Sequence, residues 1–377
     1  MMNGSLLDAL LRILNLCRKE FLAVLKDPAS RAILVVPALM QSLLFGYAAT
    51  YDLNQADYAL LDQSRSAAST ELVARLEGTG VFRRAATLNT PADIARVIDA
   101  QDALFVVQIG PRFEQQLQAG ESAPVQLIVD ARNSNTAGSA AGYVSAIVAD
   151  FNAQWRRQHG GAEAPVRIDS RAWFNPNLET RWNLMPGMIA ALSMLQTLLL
   201  TALSVARERE QGTFDQLLVT PLSPTEIMVG KAAPPVLIGL LQSTIVLLVT
   251  LLWFKVPMAG SLLTLYAGLA CFTIASVGIG LSISAVSANM QQAMLYTFVL
   301  IMPLMLLSGL TTPVRNMPEA LQIVTLANPL RFAIDLVQRV YLEGVGLAAV
   351  WHNLIPLLVI AVVTLPLAAW LFRHRLA

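Results

Sequence analysis

The chain has 377 residues, of which 55% are hydrophobic and 14% are charged, and its formal net charge is +1. Because a soluble protein carries about 25% charged residues, this composition argues against a soluble domain, and the near-neutral charge gives no sign of nucleic-acid binding. The two cysteines, Cys17 and Cys271, lie far apart, and the three histidines are isolated, so the sequence contains no redox or metal-ligating pattern.

The charge deficit is concentrated in six apolar runs, each about as long as the hydrocarbon core of a bilayer is thick. The runs are 32–50, 184–206, 232–253, 262–286, 292–311 and 351–372. The sequence therefore predicts a mainly α-helical polytopic membrane protein with six transmembrane helices. No run carries a charge at its centre, which argues against a proton relay or an ion-coupled carrier.

Residues 1–31, before the first run, show the pattern of an amphipathic helix. One face carries Leu6, Leu10, Leu14, Cys17, Phe21 and Val24, and the opposite face carries Asp8, Arg12, Asn15, Lys19 and Lys26. We expect this helix to lie in the cytoplasmic interface of the membrane and to end at Asp27–Pro28. The alternative is a soluble helix packed on a domain. A signal peptide is excluded, because charges interrupt the apolar stretch.

Residues 51–183 are too polar to span a membrane and too long for a loop. Strand-like runs lie at 57–62, 103–109, 125–130 and 166–174, and helical patterns lie at 66–77, 91–100, 111–118 and 136–157. Strands that alternate with helices predict a small α/β domain, here on the extracytoplasmic side. Four polar residues after the third run suit a turn and a helix cap, or a binding site: Asp130, Arg132, Asn133 and Asn135. The motif WFNPN at 173–177 predicts a turn back to the membrane.

Residues 207–231 form a charged, proline-bearing interruption between two apolar runs. Ser223 and Glu226 have the spacing of a capping box, and so do Thr213 and Gln216. A short helix is therefore predicted to begin after Thr213, and a second one to begin after Ser223 and continue into the third span.

The short helix must end before Pro221, and Gly212 allows a sharp turn in front of it. Its residues Phe214, Leu217 and Leu218 have i, i+3, i+4 spacing and form one apolar patch. Such a patch suits docking to another protein. The residues alone leave open whether the segment is a docking element or a connector. The carboxylates of Glu208 and Glu210 can pair within the helix or meet basic groups of a partner.

The second and fifth runs carry a polar seam and a concentration of methionine, which is flexible enough to accept varied apolar shapes. The candidates for a pore lining are Met188, Ser193, Met194, Thr197, Thr201, Met294, Met302 and Met305. Helix packing explains the same residues equally well, because small polar residues are common where membrane helices meet.

Residues 312–345 contain prolines that break the segment into two short helices ending at Gly344. Arg331, Asp335 and Arg339 lie on one face of the second helix. Helices too short to span suggest an external re-entrant hairpin at the outer end of the fifth span.

Basic residues in short loops predict the orientation, since they collect on the cytoplasmic side. With a cytoplasmic N-terminus, ten fall inside: Arg12, Arg18, Lys19, Lys26, Arg31, Arg207, Arg209, Lys231, Arg373 and Arg375. Four fall outside: Lys255, Arg315, Arg331 and Arg339. Both termini, including the tail 373–377, are therefore expected in the cytoplasm.

The chain has no phosphate loop of its own. Its only Gly-Lys pair is Gly230–Lys231, and the glycine that a phosphate loop requires is replaced by Thr225. Lys231 is instead expected to reach the lipid headgroups. Energy from ATP would have to come from another subunit.

Several long motifs resemble ABC-2 type transporter permeases over essentially the whole chain. They are RKEFLAVLKDP (18–28), WFNPNLETRWNLMPGMIA (173–190), EREQGTFDQLLVTPLSPTEIMVGK (208–231) and the stretch LSGLTTPVRNMPEALQIVTLANPLRFAIDLVQRVYLEG (307–344). The stretch PVQLIVDARNSNTAGSAAGYV (124–144) is similar to the Ybh-type multidrug exporter permeases of Gram-negative bacteria.

The resemblance implies six spans, an external domain between the first two, and a pore lined by the second and fifth spans of two permease subunits. The loop 207–231 corresponds to the coupling helix that enters a cleft of the ATPase. The residues that this implies for coupling are Glu208, Glu210, Gly212, Thr213, Phe214, Leu217, Leu218, Pro221, Ser223 and Glu226.

The implied partners are an ABC ATPase dimer, which would use ATP and Mg, a second permease, identical or paralogous, and a periplasmic adaptor. The implied location is the bacterial inner membrane, in direct contact with the lipid bilayer. The expected function is the permease of an ATP-driven exporter of drugs or other amphipathic compounds, with no enzymatic site or cofactor of its own. The alternatives are export of lipid or polysaccharide, and a membrane sensor whose external domain binds a ligand. A membrane-embedded enzyme would need a convergent polar site, and the sequence offers none.

Overall fold

The computed structural model describes residues 11–19, 21–22, 26, 28–48, 55–132, 134–159, 179–212 and 223–374. The chain divides into two compact units, one made of residues 1–50 and 172–377 and the other of residues 51–171. The predicted strand 166–174, the turn at 173–177 and the short helix after Thr213 lie outside the described residues, as do Phe214, Leu217, Leu218 and Pro221.

Residues 11–19 are helical. In chain order, the helices and strands that follow are α1 (Pro28–Ala48), β1 (Ala56–Asp62), α2 (Ala67–Gly78), β2 (Phe82–Thr87), α3 (Ala92–Asp99), β3 (Phe105–Ile109), α4 (Phe113–Gln118), β4 (Val125–Val129), α5 (Ser134–Gln158), α6 (Thr180–Glu210), α7 (Pro224–Leu248), α8 (Leu262–Val286), α9 (Met290–Leu306), α10 (Glu319–Val324), α11 (Pro329–Gln338) and α12 (Trp351–His374). One turn of π-helix continues α7 through Trp253, and another continues α11 through Glu343.

Among the described residues, four helices are long and apolar enough to cross a membrane, namely those at Thr180–Glu210, Glu226–Trp253, Leu262–Val286 and Trp351–Arg373. A bent pair, Glu319–Ala327 with Pro329–Glu343, makes a fifth candidate if it counts as one span. The predicted first and fifth spans fall on shorter apolar helices, Leu34–Ala48 and Met290–Leu306. The fold is thus mainly helical with four to five candidate spans and one small sheet.

The described parts of the stretch 207–231 are helical at both ends, and the second helix begins after Ser223 as predicted. The helix α6 runs on through Glu210, and α7 begins at Pro224, so only residues 211–223 connect them. A charge does not end a helix by itself, and three of the charged residues at the end of α6, namely Glu208, Arg209 and Glu210, contact other elements, as described below.

The core of the first unit surrounds α6. Buried side chains of α6, such as Met188 and Leu198, pack with Phe272 of α8 and Val337 of α11 in one apolar cluster. Glycines let the neighbouring helices approach closely, since a Cβ added at Gly239 of α7 would lie 2.5 Å from the Thr197 side chain. This position of α6 puts most of its length out of contact with lipid.

The segment after α9 folds as the predicted pair of short helices. The two parts meet at an angle of 89°, and the second part ends at Gly344 with a φ of +72°, which glycine adopts without strain. Tyr341 accepts a backbone hydrogen bond of 2.8 Å from Ala259, which fixes this end of the segment against the connection between α7 and α8.

The second unit is a four-stranded sheet in the order β2-β1-β3-β4. The strand β1 is parallel to β2 and β3, whereas β4 is antiparallel to β3. The predicted strands at 57–62, 103–109 and 125–130 coincide with β1, β3 and β4. The strand β2 was missed, because it is an edge strand with one buried end and mostly exposed side chains, and therefore lacks an apolar pattern.

Apolar side chains cover both faces of this sheet. Tyr58, Phe105 and Val107 pack with residues of α2, α4 and α5, while Ala59 and Val106 pack in a second cluster that includes α3. Alternation of side chains along a strand sends neighbours to opposite faces, so one strand supplies both cores.

Candidate functional site

The candidate site is the joint between α6 and α7, defined by the last turn of α6 and the first two turns of α7. The chain leaves α6 through Gly212, whose φ is +67° and whose N–H donates 3.1 Å to the carbonyl of Arg209. This left-handed residue ends the helix and turns the chain, as the glycine predicts.

The helix α7 begins with the predicted capping box. The Ser223 side chain accepts from the Glu226 N–H at 3.3 Å, and Glu226 Oε2 accepts from the Ser223 N–H at 2.6 Å. The second carboxylate oxygen of Glu226 accepts from Arg12 of the N-terminal helical segment, at 2.7 Å from Nη2 and 3.1 Å from Nε. Glu226 therefore holds both the start of its own helix and the N-terminal segment.

Glu208 and Lys231 form the buried centre of the joint. Lys231 Nζ lies 2.7 Å from Glu208 Oε2, and the two side chains are 0% and 11% exposed. Lys19 Nζ approaches the other oxygen of Glu208 at 3.6 Å. The prediction that Lys231 reaches the lipid headgroups is wrong, because the sequence does not reveal the carboxylate that faces it across the joint. Buried in this ion pair, Lys231 is also not available to a phosphate.

The remaining charges at the end of α6 reach two further helices. Arg209 Nη1 donates 2.9 Å to the carbonyl of Ser287, directly after α8. Glu210 Oε2 accepts 3.0 Å from the N–H of Met290, the first residue of α9. A carboxylate at a helix N-terminus is favourable, since the free N–H groups carry partial positive charge. The last turn of α6 thus contacts four elements: the N-terminal segment, α7, α8 and α9.

The N-terminal segment packs on this joint through Arg12, Leu16 and Cys17. Leu16 is buried against Gly230, where an added Cβ would lie 2.5 Å from the leucine, and Cys17 Sγ lies 3.5 Å from the Gly230 carbonyl oxygen. Leu11 and Leu14 are exposed. The described part of this segment therefore packs on the protein, and Cys17 of the predicted apolar face takes part in that contact. Placement of the helix in the membrane interface stays a prediction.

The buried ion pair holds the two helices of the joint together. A buried ion pair constrains the relative position of its two helices, and removing one partner leaves an uncompensated buried charge that costs about 3–5 kcal/mol. The ion pair therefore fixes the ends of α6 and α7 to each other, and Glu210 adds a contact to the start of α9.

The α6 candidates for a pore lining are packed inside the chain. Met188, Ser193, Met194, Thr197 and Thr201 are all buried. A Cβ added at Gly280 of α8 would lie 2.7 Å from Thr201. The polar seam thus faces α7 and α8, which is the packing alternative within a single chain.

The α9 candidates are placed differently. Met302 is 66% exposed and Met294 is also exposed, whereas Met305 packs against the main cluster. The exposed side recurs at helical spacing along the whole helix: Leu295, Phe298, Val299, Met302 and Leu306. We call these five residues the α9 stripe.

A polar cavity of about 710 Å³ lies between α6, α11, α12 and the segment after α9. Its lining includes Arg331, Asp335 and His352. Asp335 Oδ2 accepts 2.7 Å from Asn353 and so links the hairpin to α12, while Arg331 donates to the carbonyl of Gln322 and so links the two helices of the hairpin. Two of the three charged residues assigned to one face of α11 therefore share this cavity. The third, Arg339, lies 2.7 Å from His352 Nε2.

In the second unit, Asp130 and Arg132 form an ion pair with each other. Their ion pair is 2.7 Å long, and Asp130 also accepts from the Arg132 N–H at 3.1 Å, as a turn-forming aspartate does. Hydrogen bonding to Arg132 lowers the pKa of the Asp130 carboxyl. The turn interpretation is confirmed for Asp130. Asn133 lies outside the described residues, as does the side chain of Asn135.

The sequence did not identify five residues of the joint: Arg12, Lys19, Arg209, Lys231 and Met290. The signal available was that acidic residues 208 and 226 stand near the ends of two helices joined by a short connection, with a lysine at 231. Opposite charges at facing helix ends are expected to meet, but the N-terminal partners are more than 180 residues away in sequence.

Comparison with known proteins agrees with the motifs. The family model described as "ABC-2 family transporter protein" matches residues 31–370. The chain is 40% identical over 367 residues to the probable multidrug ABC transporter permease YbhR of Escherichia coli, covering 97% of this chain and 99% of that protein. It is 30% identical to the E. coli probable multidrug ABC transporter permease YbhS, covering 88% and 89%.

The E. coli inner membrane transport permease YhhJ is 29% identical, with 97% of both chains covered. The matches cover nearly the whole length of these relatives, which are named as permeases rather than as ATPases. Together with the apolar helices and the match of the family model, they place the chain: it belongs to the ABC-2 family of transporter proteins and is a multi-pass membrane permease of an ABC transporter.

Proposed function

We propose that this chain is half of the pore of an exporter and that ATP hydrolysis in a separate ATPase subunit drives it through residues 207–231. The observation that carries the proposal is the joint, in which Glu208 and Lys231 connect α6 to α7 at 2.7 Å on either side of the short connection. If the apolar patch docks in an ATPase, movement of the ATPase reaches the transmembrane helices only when the patch is firmly connected to them. A flexible connection would not transmit that movement.

The contacts of α6 connect the joint to the proposed pore, so that a movement of the ATPase can reach the pore. Glu210 links the end of α6 to the first residue of α9, so a shift of the joint displaces α9 as well as α6 and α7. The α9 stripe is apolar and, within the described residues, faces no other helix of its own chain. We assign it to the second permease subunit, either at the contact or along the pathway between the two copies.

The cargo we propose is a drug or another amphipathic compound. The support is that two relatives are described as "probable multidrug" permeases, and that the flexible methionines of α9 suit varied apolar shapes. Export of lipid or polysaccharide is the competing assignment, and a comparison of transport rates between drugs and lipids distinguishes them. The finer arrangement we propose has six spans, with α1 and α9 as the first and fifth. It also has both termini and residues 207–231 in the cytoplasm, and residues 51–183 in the periplasm beside an adaptor protein.

Docking is tested with Leu217→Asp, which places a charge in the predicted apolar patch. An unpaired charge in a small apolar contact costs several kcal/mol, so the variant should insert in the membrane but lose both co-purification of the ATPase and export. Gln216→Asp is the matched control, because position 216 lies on the opposite side of the predicted short helix and should retain both. Normal export by Leu217→Asp would make the segment a simple connector.

The role of the joint is tested with Glu210→Gln, which keeps the shape of the side chain and removes its charge at the start of α9. Assembly with the ATPase should survive, while drug-stimulated ATP hydrolysis falls relative to basal hydrolysis. If the drug stimulates ATP hydrolysis equally in the variant and the wild type, Glu210 does not take part in coupling.

The orientation is tested with single cysteines at Ser122 and Thr220, in a background without Cys17 and Cys271. An impermeant thiol reagent applied to spheroplasts should label position 122 and not position 220. Labelling of 220 from outside would reverse the proposed topology.

The cargo surface is tested with Met302→Ala, since Met302 is the most exposed methionine of the proposed pore lining. We expect the ranking among exported apolar compounds to change while folded protein is retained. An equal loss for all compounds would support a packing role at the contact between subunits.

A further inference from the structure

An apolar furrow lies at the end of the bundle where α7 begins and α12 ends. It encloses a cavity of about 960 Å³. One wall is formed by α7 with Ala233 and Leu237, the floor by α8 with Ile274 and Val277, and the other wall by α12 with Ala369 and Trp370. All belong to the membrane unit, and none belongs to the proposed pore lining. The furrow adjoins the joint at Ser223 and Met228.

The furrow exists because its two wall helices are each held to an inner helix. Close packing draws α12 onto α8, since a Cβ added at Gly278 would lie 2.1 Å from the Thr364 side chain, and α7 is drawn to α6 by the contact of Gly239 with Thr197. Between the walls, the side chains of Ala233 and Ala369 are too small to close the gap.

The ends of the furrow locate it in the bilayer. Trp370 is exposed near one end, and Arg373 lines the same end, a pairing typical of the membrane–water boundary. From Ser223 to Leu237 the furrow follows α7 for about 21 Å at 1.5 Å per residue. Half of a hydrocarbon core is about 15 Å thick, so the furrow runs from headgroup level through most of one leaflet.

We propose that this furrow is a binding site for one phospholipid, with an acyl chain between α7 and α12 and the lipid phosphate on Arg373. The length and apolar lining match an acyl chain. Within the part of the chain that the structure describes, no carboxylate lies at ion-pair distance from Arg373, so its guanidinium is open to a phosphate. The bound lipid braces α12 against α7, the helix whose first turns form the joint. A net anionic headgroup binds more tightly than a zwitterionic one, whose ammonium group opposes Arg373.

The test is native mass spectrometry of the full-length chain, purified with its partner subunits, stripped of lipid and titrated with palmitoyl-oleoyl phosphatidylglycerol. We expect one saturable lipid per chain, bound more tightly than palmitoyl-oleoyl phosphatidylethanolamine. Ala233→Trp fills the furrow and should abolish this binding. Ala369→Phe, from the opposite wall, should do the same, so the result does not depend on one variant folding. Arg373→Gln should weaken phosphatidylglycerol binding about fivefold, the effect of one basic residue near an anionic lipid.

Two matched controls separate the furrow from general contact with lipid. Val362→Trp adds the same side chain on an exposed position of α12 outside the furrow, and Arg31→Gln removes an exposed charge at the start of α1. Both should bind lipid like the wild type. No saturable lipid, unchanged binding in the two furrow-filling variants, or equal affinity for both headgroups would overturn the proposal. So would displacement of the lipid by an exported compound at its transport concentration, which would make the furrow a cargo site.

Discussion

Two ion pairs of equal length show how differently the two units of this protein use charge. Glu208 and Lys231 lie 2.7 Å apart with side chains 11% and 0% exposed, while Asp57 and Arg83 in the sheet unit also lie 2.7 Å apart but are 36% and 64% exposed. Water screens the second pair and competes with it, so exposed pairs contribute only about 0–1 kcal/mol. In the first pair each charge depends on the other, because burial leaves both with little access to water. Burial, not distance, decides what each pair does.

The largest effect is expected when the buried pair is broken. Lys231→Ala leaves the Glu208 carboxylate buried beside a cavity, with only the more distant Lys19 as a partner, and should lower the free energy of unfolding by about 3–5 kcal/mol. The measurement is the thermal unfolding midpoint in detergent, followed by size-exclusion chromatography.

A double variant decides whether charge or volume causes that loss. Glu208→Leu with Lys231→Met removes both charges and keeps apolar volume, so much of the stability should return. If the double variant has the same unfolding midpoint as Lys231→Ala, the pair stabilises the fold through its shape. Burial of charge would then not explain the difference between the two ion pairs.

Packing gives a second, smaller contrast between buried and open positions. Gly239→Ala puts a Cβ within 2.5 Å of Thr197 Oγ1, and threonine has few alternative rotamers in a helix, so the variant should lose about 1–3 kcal/mol. The same unfolding midpoint measures it.

Gly142→Ala in α5 is the matched control, since a Cβ added there meets nothing within 4 Å. Alanine favours a helix by about 1 kcal/mol over glycine, so this variant should be neutral or more stable. The same sign of change at both glycines would contradict the packing explanation of close approach between α6 and α7.

Tyr58 lies between the two extremes. The residue is fully buried, and its hydroxyl donates 3.0 Å to Glu77 Oε1. Burial, followed by the charge of Glu77, raises the pKa of the Tyr58 hydroxyl. Tyr58→Phe should therefore cost about 1 kcal/mol, the usual net value of one hydrogen bond. Amide hydrogen exchange of the β1 peptide in the full-length chain reports the local loss.

The direction of the Tyr58 shift also gives a pH dependence. Because the folded-state pKa is raised above the ordinary value near 10, the contribution is fully present below pH 10 and is lost as pH rises above it. The wild type should lose protection of β1 at alkaline pH more steeply than Tyr58→Phe. Parallel profiles would mean that Tyr58 ionises as freely in the folded state as in the unfolded chain.

The smallest effect is expected at the exposed pair. Hydrogen bonding to Arg83 lowers the pKa of the Asp57 carboxyl, so the pair stabilises above the ordinary aspartate pKa, and the contribution disappears as pH falls through the lowered value. Arg83→Gln should change exchange protection of β1 by less than a factor of about five at neutral pH, and not at all in acid. If Arg83→Gln destabilises the protein as much as Lys231→Ala does, burial does not determine how much an ion pair contributes.

Sequence alone determined the elements whose cause is local. A run of apolar residues without charge must be a helix in a membrane, since no other single segment satisfies its own backbone there, and all six predicted runs fall on helices. The capping box at Ser223 and Glu226 and the left-handed turns at Gly212 and Gly344 were likewise predictable, because each involves residues a few positions apart. The family followed from long ordered motifs.

Tertiary structure decided which polar side chains meet. Lys231 looked like a headgroup anchor, and only the approach of α6 brought Glu208 to it. The methionines of α6 and α9 look alike in sequence, yet one set is buried in the centre of the unit and the other is largely exposed. The edge strand β2 is held by β1 rather than by its own pattern. In each case the partner lies far away along the chain, so the energy that fixes the residue depends on packing between elements and leaves no periodic trace in the sequence.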